Sequence, residues 1–188
     1  MRPSITTWPH TWKVDLMKFL VFIAPNNFRD ETVSTIKVFF ERWGVDYDIS
    51  SYSKKECVGA HGAVYNPSIN TNVAAVANYD GIVLVDGNGV EDYKLYEYRP
   101  LLDLLLKFNS QNKIIGAVNN AIKVVARANI INGKKVAVPE DIETKRTVLL
   151  FHGVPSEKNV EISGNIVTIK GGSLEEQVQE LLQHIGAI

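Results

Sequence analysis

Short, wholly apolar runs that alternate with amphipathic helical patterns most narrow what this chain can become. Lys18–Ala24 lies in "MKFLVFIAP", Gly81–Val85 in "DGIVLVDGNG" and Lys113–Val118 in "KIIGAVNN". Each is long enough for a strand buried on both faces and far too short to span a bilayer. Between them, Phe28–Trp43 spaces Phe28, Val33, Ile36, Phe39, Phe40 and Trp43 at helical intervals and closes on Gly44. Pro100 suits the first turn of a helix through Phe108, and Asn120–Ala128 is again helix-like. Such alternation predicts an α/β fold with a mainly parallel sheet covered by helices on both faces.

The weaker segments fill in the order. Asp46–Tyr52 reads as a second strand, and Val58–Ile69, with two glycines and Pro67, as an irregular hairpin or loop. Gly133 turns the chain into Lys135–Val138. Thr147–Phe151 and Ile166–Lys170 read as the late strands, separated by "VPSEKNVEISGN". Ser173 and Glu176 form a capping box for a C-terminal helix. Parallel sheets bind ligands beyond the carboxyl ends of their strands. Three loops therefore matter most, those after Ala24, Val85 and Val118.

At 188 residues the chain reads as one domain over 17–188, preceded by an arm, residues 1–16, that carries Trp8 and Trp12 without a period. Met17 opens the first strand, so either Met1 or Met17 can be the native start. The arm is expected to be loosely ordered or to anchor a partner subunit through its tryptophans. Basic and acidic residues number 20 and 21, and no Lys/Arg-rich run occurs, which argues against nucleic acid and anionic membranes as partners. No apolar stretch suits a membrane span or a signal peptide, so a cytoplasmic protein is expected. The lone Cys57 rules out an internal disulfide. Four scattered histidines, His10, His61, His152 and His184, show no metal-ligand spacing, and no cofactor is expected.

The runs "FLVFIAPNNFRDE", "GAHGA", "NYDGIVLVDGNG", "GAVNNAIKVVARANIINGKKVAV" and "ISGNIVTIKGGS" stand in order from Met17 to about Gly186. Together they resemble the ThiJ/PfpI family, within the class I glutamine amidotransferase-like superfamily. The resemblance implies a flavodoxin-like sandwich. It also implies a homodimer or higher homo-oligomer, since relatives are commonly symmetric assemblies. Active members include intracellular peptidases, glyoxalases and deglycase-like chaperones. They carry a cysteine nucleophile at a strand-to-helix elbow, a histidine after it, a glutamate after the first strand and a Pro-Gly-Gly turn that helps form the oxyanion hole.

Laid on this chain, the resemblance puts the cysteine at Asn119, the histidine at Asn120, the glutamate at Arg29 and the turn at Val85-Asp86-Gly87. An amide is not a thiolate and cannot inherit covalent attack at neutral pH. Asparagine does tolerate the left-handed backbone that elbows require, so Asn119 keeps the turn without the chemistry. The reading is a catalytically silent relative with a polar pocket whose candidate residues are Asn26, Asn27, Arg29, Asp30, Asp86, Gly87, Asn119 and Asn120, suited to a small polar ligand or a regulatory role. Arg29 and Asp86 are expected to pair across the pocket mouth.

Two alternatives stay open. One is an enzyme using water activated by Asp30, Glu31 or Asp86, with amides as oxyanion donors. The other is a chaperone-like or structural oligomer subunit. Asp30 and Glu31 also suit the first turn of a helix as dipole-complementing carboxylates. Cys57 and His61 form a pair without assured geometry. Lys123, on the elbow helix, is expected to face solvent.

Overall fold

The computed structural model describes residues 17–171 together with Glu175, Glu176 and Gln179. The N-terminal arm, His10, His184 and the expected capping box through Ser173 lie outside the described residues.

Strand β1 (Lys18–Phe22) leads through a short strand β2 (Asn26–Phe28) into helix α1 (Asp30–Trp43). Strand β3 (Asp46–Ser51) follows, then a hairpin of β4 (Cys57–Gly59) and β5 (Val64–Tyr65), and β6 (Ile69–Asn70). Next come β7 (Gly81–Leu84), the single-turn helix α2 (Gly89–Asp92), helix α3 (Arg99–Ser110) and β8 (Ile114–Val118). A 3-10 turn over Asn119–Ala121 opens α4 (Ile122–Arg127). The chain closes through β9 (Lys135–Ala137), α5 (Ile142–Leu150), β10 (Val154–Ser156), β11 (Val160–Ser163) and β12 (Ile166–Ile169).

Seven strands make the central sheet in the order β11-β12-β8-β7-β1-β3-β6. Every pairing in it is parallel except β11 with β12. The α/β sandwich expected from the alternation is therefore present. Strand β1 pairs with β3 on one side and β7 on the other, so the chain direction across the sheet reverses there. The carboxyl ends of β1, β7 and β8 meet at that switch point, where ligands of such sheets are held.

The core explains why these segments took these forms. Leu20, Val21, Phe22, Ile82, Leu84, Ile115 and Ala117 are buried, as a strand covered on both faces requires. Helix α1 buries Val33, Ile36, Phe39 and Phe40 on one face, at about 1.5–3 kcal/mol for each full side chain. It ends at Gly44, whose φ of 70° lets its N–H turn back to the carbonyls of Glu41 and Phe40. Helix α3 begins with Pro100 in its first turn, as expected, and buries Leu101, Leu104, Leu105 and Phe108.

One element departs from the sequence reading. Thr147–Phe151, expected as a strand, forms the last turns of α5 and its C-terminal cap. The Asp141 side chain accepts from the Thr144 N–H at 2.8 Å and starts the helix five residues before the apolar run. Val148 is buried while Leu149 and Leu150 are exposed, so the run is a helix turning past its core contact. A five-residue apolar run fits either period, and the upstream cap decides between them. The strands of this region, β10 and β11, lie inside the segment expected to be a linker.

Candidate functional site

The elbow follows directly from β8. Asn119 stands at φ 46°, left-handed, and reverses the chain into the 3-10 turn and α4. Its amide is engaged at both ends. Nδ2 donates to Asp86 Oδ2 at 2.6 Å, and Oδ1 accepts from the Gly171 N–H at 2.9 Å. The elbow is thus tied to the end of β7 and to the segment after β12.

Asp86 is the centre of this network and only 3% exposed. Thr32 Oγ1 on α1 donates to its Oδ1 at 2.5 Å. Arg29 Nη1 lies 3.6 Å from its Oδ2, and the Arg29 N–H donates to its carbonyl at 2.8 Å. The expected Arg29–Asp86 pairing is present. Arg29 also meets Glu31 at 3.0 Å. Burial works against the guanidinium charge, but Glu31 and Asp86 outweigh it and hold the Arg29 pKa above its ordinary value.

Asn120 and Gly87 are bonded reciprocally. The Gly87 N–H donates to Asn120 Oδ1 at 3.2 Å and Asn120 Nδ2 donates to the Gly87 carbonyl at 2.9 Å. Gly87 sits at φ 128°, and a Cβ there would collide with the Asn27 carbonyl. The loops after β1 and β7 therefore approach backbone to backbone. Asn26 Nδ2 donates to the Tyr93 hydroxyl at 2.6 Å and Asn27 Nδ2 to Asp92 at 2.8 Å. The side chains of Asn26, Asn27, Arg29, Asp86, Asn119 and Asn120 are each bonded within the protein.

Asp30 is turned elsewhere. Its carboxylate accepts from the His61 N–H at 2.9 Å and the Ala63 N–H at 2.7 Å. Burial alone would raise its pKa, but these backbone donors outweigh burial and lower it. It braces the 59–63 turn, one backbone N–H on each oxygen. Cys57 is 2% exposed, its thiol directed to the Lys55 carbonyl at 3.5 Å, and burial raises its pKa. A reactive cysteine has the reverse properties, an accessible sulfur and a lowered pKa. His61 is exposed and lies 3.9 Å from Asp30.

Lys123 corrects an expectation. It is 5% exposed rather than on the solvent side, because α4 is enclosed by α3, α5 and the Leu95–Glu97 turn and buries Ile122 through Ala126. The charge is matched by Glu91 at 2.6 Å and Glu143 at 3.7 Å. Nothing in the sequence marked this cluster, whose members come from α2, α4 and α5.

Lys123 lies on the floor of an open cleft of about 640 Å³, also lined by Asn88, Glu91, Asn120, Glu140, Asp141, Ile142, Glu143 and Thr144. Asn120 is the one residue shared by the cleft lining and the elbow network. The volume is within the usual range for small-molecule sites. Among the described residues, no three His, Cys, Asp or Glu side chains are grouped to hold a metal, and no helix is long and apolar enough to cross a membrane.

Against known proteins, the profile of the DJ-1/PfpI family matches residues 17–184. An uncharacterized protein of Methanocaldococcus jannaschii is 33% identical over 156 residues, covering 81% of this chain and 74% of that protein. Among solved structures, a ThiJ/PfpI domain protein from Brachyspira murdochii superposes with a TM-score of 0.83 at 23% identity, covering 91% of this chain and 97% of its own. Drosophila melanogaster DJ-1beta does so with a TM-score of 0.76 at 19% identity, covering 92% and 91%. At these identities the two structures speak for the fold.

Proposed function

This chain belongs to the DJ-1/PfpI family, and from that premise we propose that it lacks the family's covalent chemistry and holds a small polar ligand in the cleft beside the elbow. The observation that carries the reading is the state of Asn119. It stands where the family resemblance puts the nucleophile, and its amide is bonded at one end to Asp86 and at the other to Gly171. An amide so placed offers no electron pair to a carbonyl carbon.

Two further features support it. The Gly87 N–H, at the turn that the resemblance assigns to the oxyanion hole, is occupied by Asn120. A tetrahedral intermediate would have to displace that bond to be stabilised. At the position assigned to the glutamate, Arg29 supplies a cation paired with Asp86, which can neither take a proton at neutral pH nor polarise a thiol as a carboxylate would. The elbow then serves as a frame that holds the three loops in register, and the adjoining cleft is the space left for a ligand. Assembly into a cytoplasmic homodimer or larger symmetric oligomer is part of the same proposal, checked by the mass in solution with and without residues 1–16.

The test is turnover of methylglyoxal and of a fluorogenic peptide by the wild type, Asn119→Ala and Cys57→Ser. No turnover by the wild type is expected. Turnover abolished by Asn119→Ala would overturn the proposal and make the amide a working oxyanion donor. Turnover abolished only by Cys57→Ser would move the active site to the 57–61 loop.

A further inference from the structure

We infer that the outer face of α5 is a seam on which two copies of this chain pair antiparallel across a two-fold axis; the inference rests on the reading above that the chain assembles symmetrically. Eight large apolar side chains are exposed among the described residues, and four of them, Ile142, Leu149, Leu150 and Val154, fall within residues 142–154. Scattered singly, such side chains need no explanation, but four on one helix and the strand after it make a patch. Helix α5 turns Thr144 and Val148 inward, which leaves Ile142 and Leu149, seven residues apart, in line on its outward face. Ile142 is 68% exposed and Leu149 53%. A stable pair needs about 800 Å² a side. That is more than a nine-residue helix supplies, so the seam extends onto Val154 beyond it and onto Tyr96 beside it.

Charge decides what fits there. At the start of α5 come acids, Glu140, Asp141 and Glu143, and bases follow, Lys145 and Arg146. Arg127 lies 5.5 Å from the centre of the Phe151 ring and adds a cation at the far end. Neither Lys145 nor Arg146 has an ion-pair partner among the described residues, and Glu143 has only its 3.7 Å contact to Lys123. A helix charged in that order is complementary to itself reversed. Laid antiparallel about a point near residue 146, Ile142 of each copy meets Leu149 of the other, and the acidic start of one meets the basic end of its mate. A parallel pairing would set acid against acid. A two-fold axis perpendicular to both helices keeps the same flank of each on the same side. Glu143, Arg146 and Leu150 share one flank, bordering a groove of about 360 Å³. Glu143 of each copy therefore stands opposite Arg146 of the other.

The experiment is sedimentation of the full chain over a range of concentrations, beside Leu149→Glu, Glu143→Arg, Arg146→Glu and the double variant Glu143→Arg with Arg146→Glu. The wild type is expected to hold an even number of copies, and Leu149→Glu to halve that number. Each single charge reversal is expected to weaken the pairing about tenfold or more, and the double variant to restore it to within about threefold, because opposite charges meet again. Far-UV circular dichroism checks that each variant is folded. The charge reversals, at exposed positions, carry the test even where Leu149→Glu unfolds. A wild type that stays monomeric would overturn the seam and the oligomer reading together. An oligomer whose mass none of the variants changes would overturn the seam alone and move the contact to another face. Single reversals that weaken pairing without rescue in the double variant would overturn the antiparallel register. A monomer that cosediments with anionic vesicles, and no longer does so in Leu149→Glu, would give the face to a lipid surface instead.

Discussion

Asn119 holds a left-handed φ of 46° and two hydrogen bonds, so its replacement tests two costs. Alanine keeps a Cβ in that region at about 1–2 kcal/mol and removes bonds to Asp86 and Gly171 worth about 1 kcal/mol each. Asn119→Ala is therefore expected to lose about 3 kcal/mol in urea unfolding. Asn119→Gly, free of the conformational cost, should fall between it and the wild type. Equal stability of Ala and wild type would show that the elbow amide ties nothing together. Asp30 makes a different prediction. Its folded pKa is depressed, because the His61 and Ala63 N–H groups outweigh burial. The stability it contributes is thus present above its unfolded pKa of about 3.9 and is lost as pH falls through the lower folded value. The melting temperature should drop below about pH 4, and Asp30→Asn should flatten that acid limb. An acid limb of unchanged slope in Asp30→Asn would remove the carboxylate from the account.

At the scale of elements, α5 and the interlocked loops are the informative pieces. The Asp141 cap starts α5, and Asp141→Ala is expected to cost about 1 kcal/mol in chemical denaturation. Leu150, 70% exposed at the end of the same helix, should tolerate serine within about 0.5 kcal/mol. A strand over 147–151 would invert that pattern, with Leu150 costly and Asp141 silent. The loops after β1 and β7 meet at Gly87, where a Cβ would strike the Asn27 carbonyl. Gly87→Ala combines a positive φ with that collision and is expected to cost several kcal/mol, roughly 3 or more by the scale of strained and overpacked sites. The loss should be visible as a lowered melting temperature, along with loosening of the Asn120 bonds in amide exchange. A melting temperature equal to the wild type's would mean that the two loops are not locked backbone to backbone.

For the whole molecule, β1 is the hinge of the architecture, because it pairs with β3 and β7 and places the switch point beside the elbow. Leu20, fully buried in the middle of β1, joins both halves of the sheet. Leu20→Ala is expected to lose about 2–5 kcal/mol. The loss should appear as one cooperative transition, with far-UV circular dichroism and tryptophan fluorescence falling together. Two separated transitions would mean that the sheet halves unfold independently. The same connectivity makes the cleft a product of assembly, since its lining comes from α2, α4, α5 and the turns before them.

The alternation of apolar runs and helical patterns was enough to determine the sheet, its parallel pairing and the three loops at its carboxyl ends. Those features follow from burial, which is written locally in side-chain type and period. The elbow was legible too, because a left-handed turn narrows the choice of residue and Asn119 satisfies it. The Arg29–Asp86 pairing was legible from two strand ends on one edge. The identity of α5 was not legible, since Thr147–Phe151 suits either period and only the Asp141 cap, acting from outside the run, decides. Lys123 was not legible either. Its burial depends on α4 being enclosed on every side, and its partners Glu91 and Glu143 stand 32 and 20 residues away in the sequence. Local pattern can specify which face of an element turns inward, but not what three separate elements bring together around a buried charge. That was decided by the tertiary structure alone.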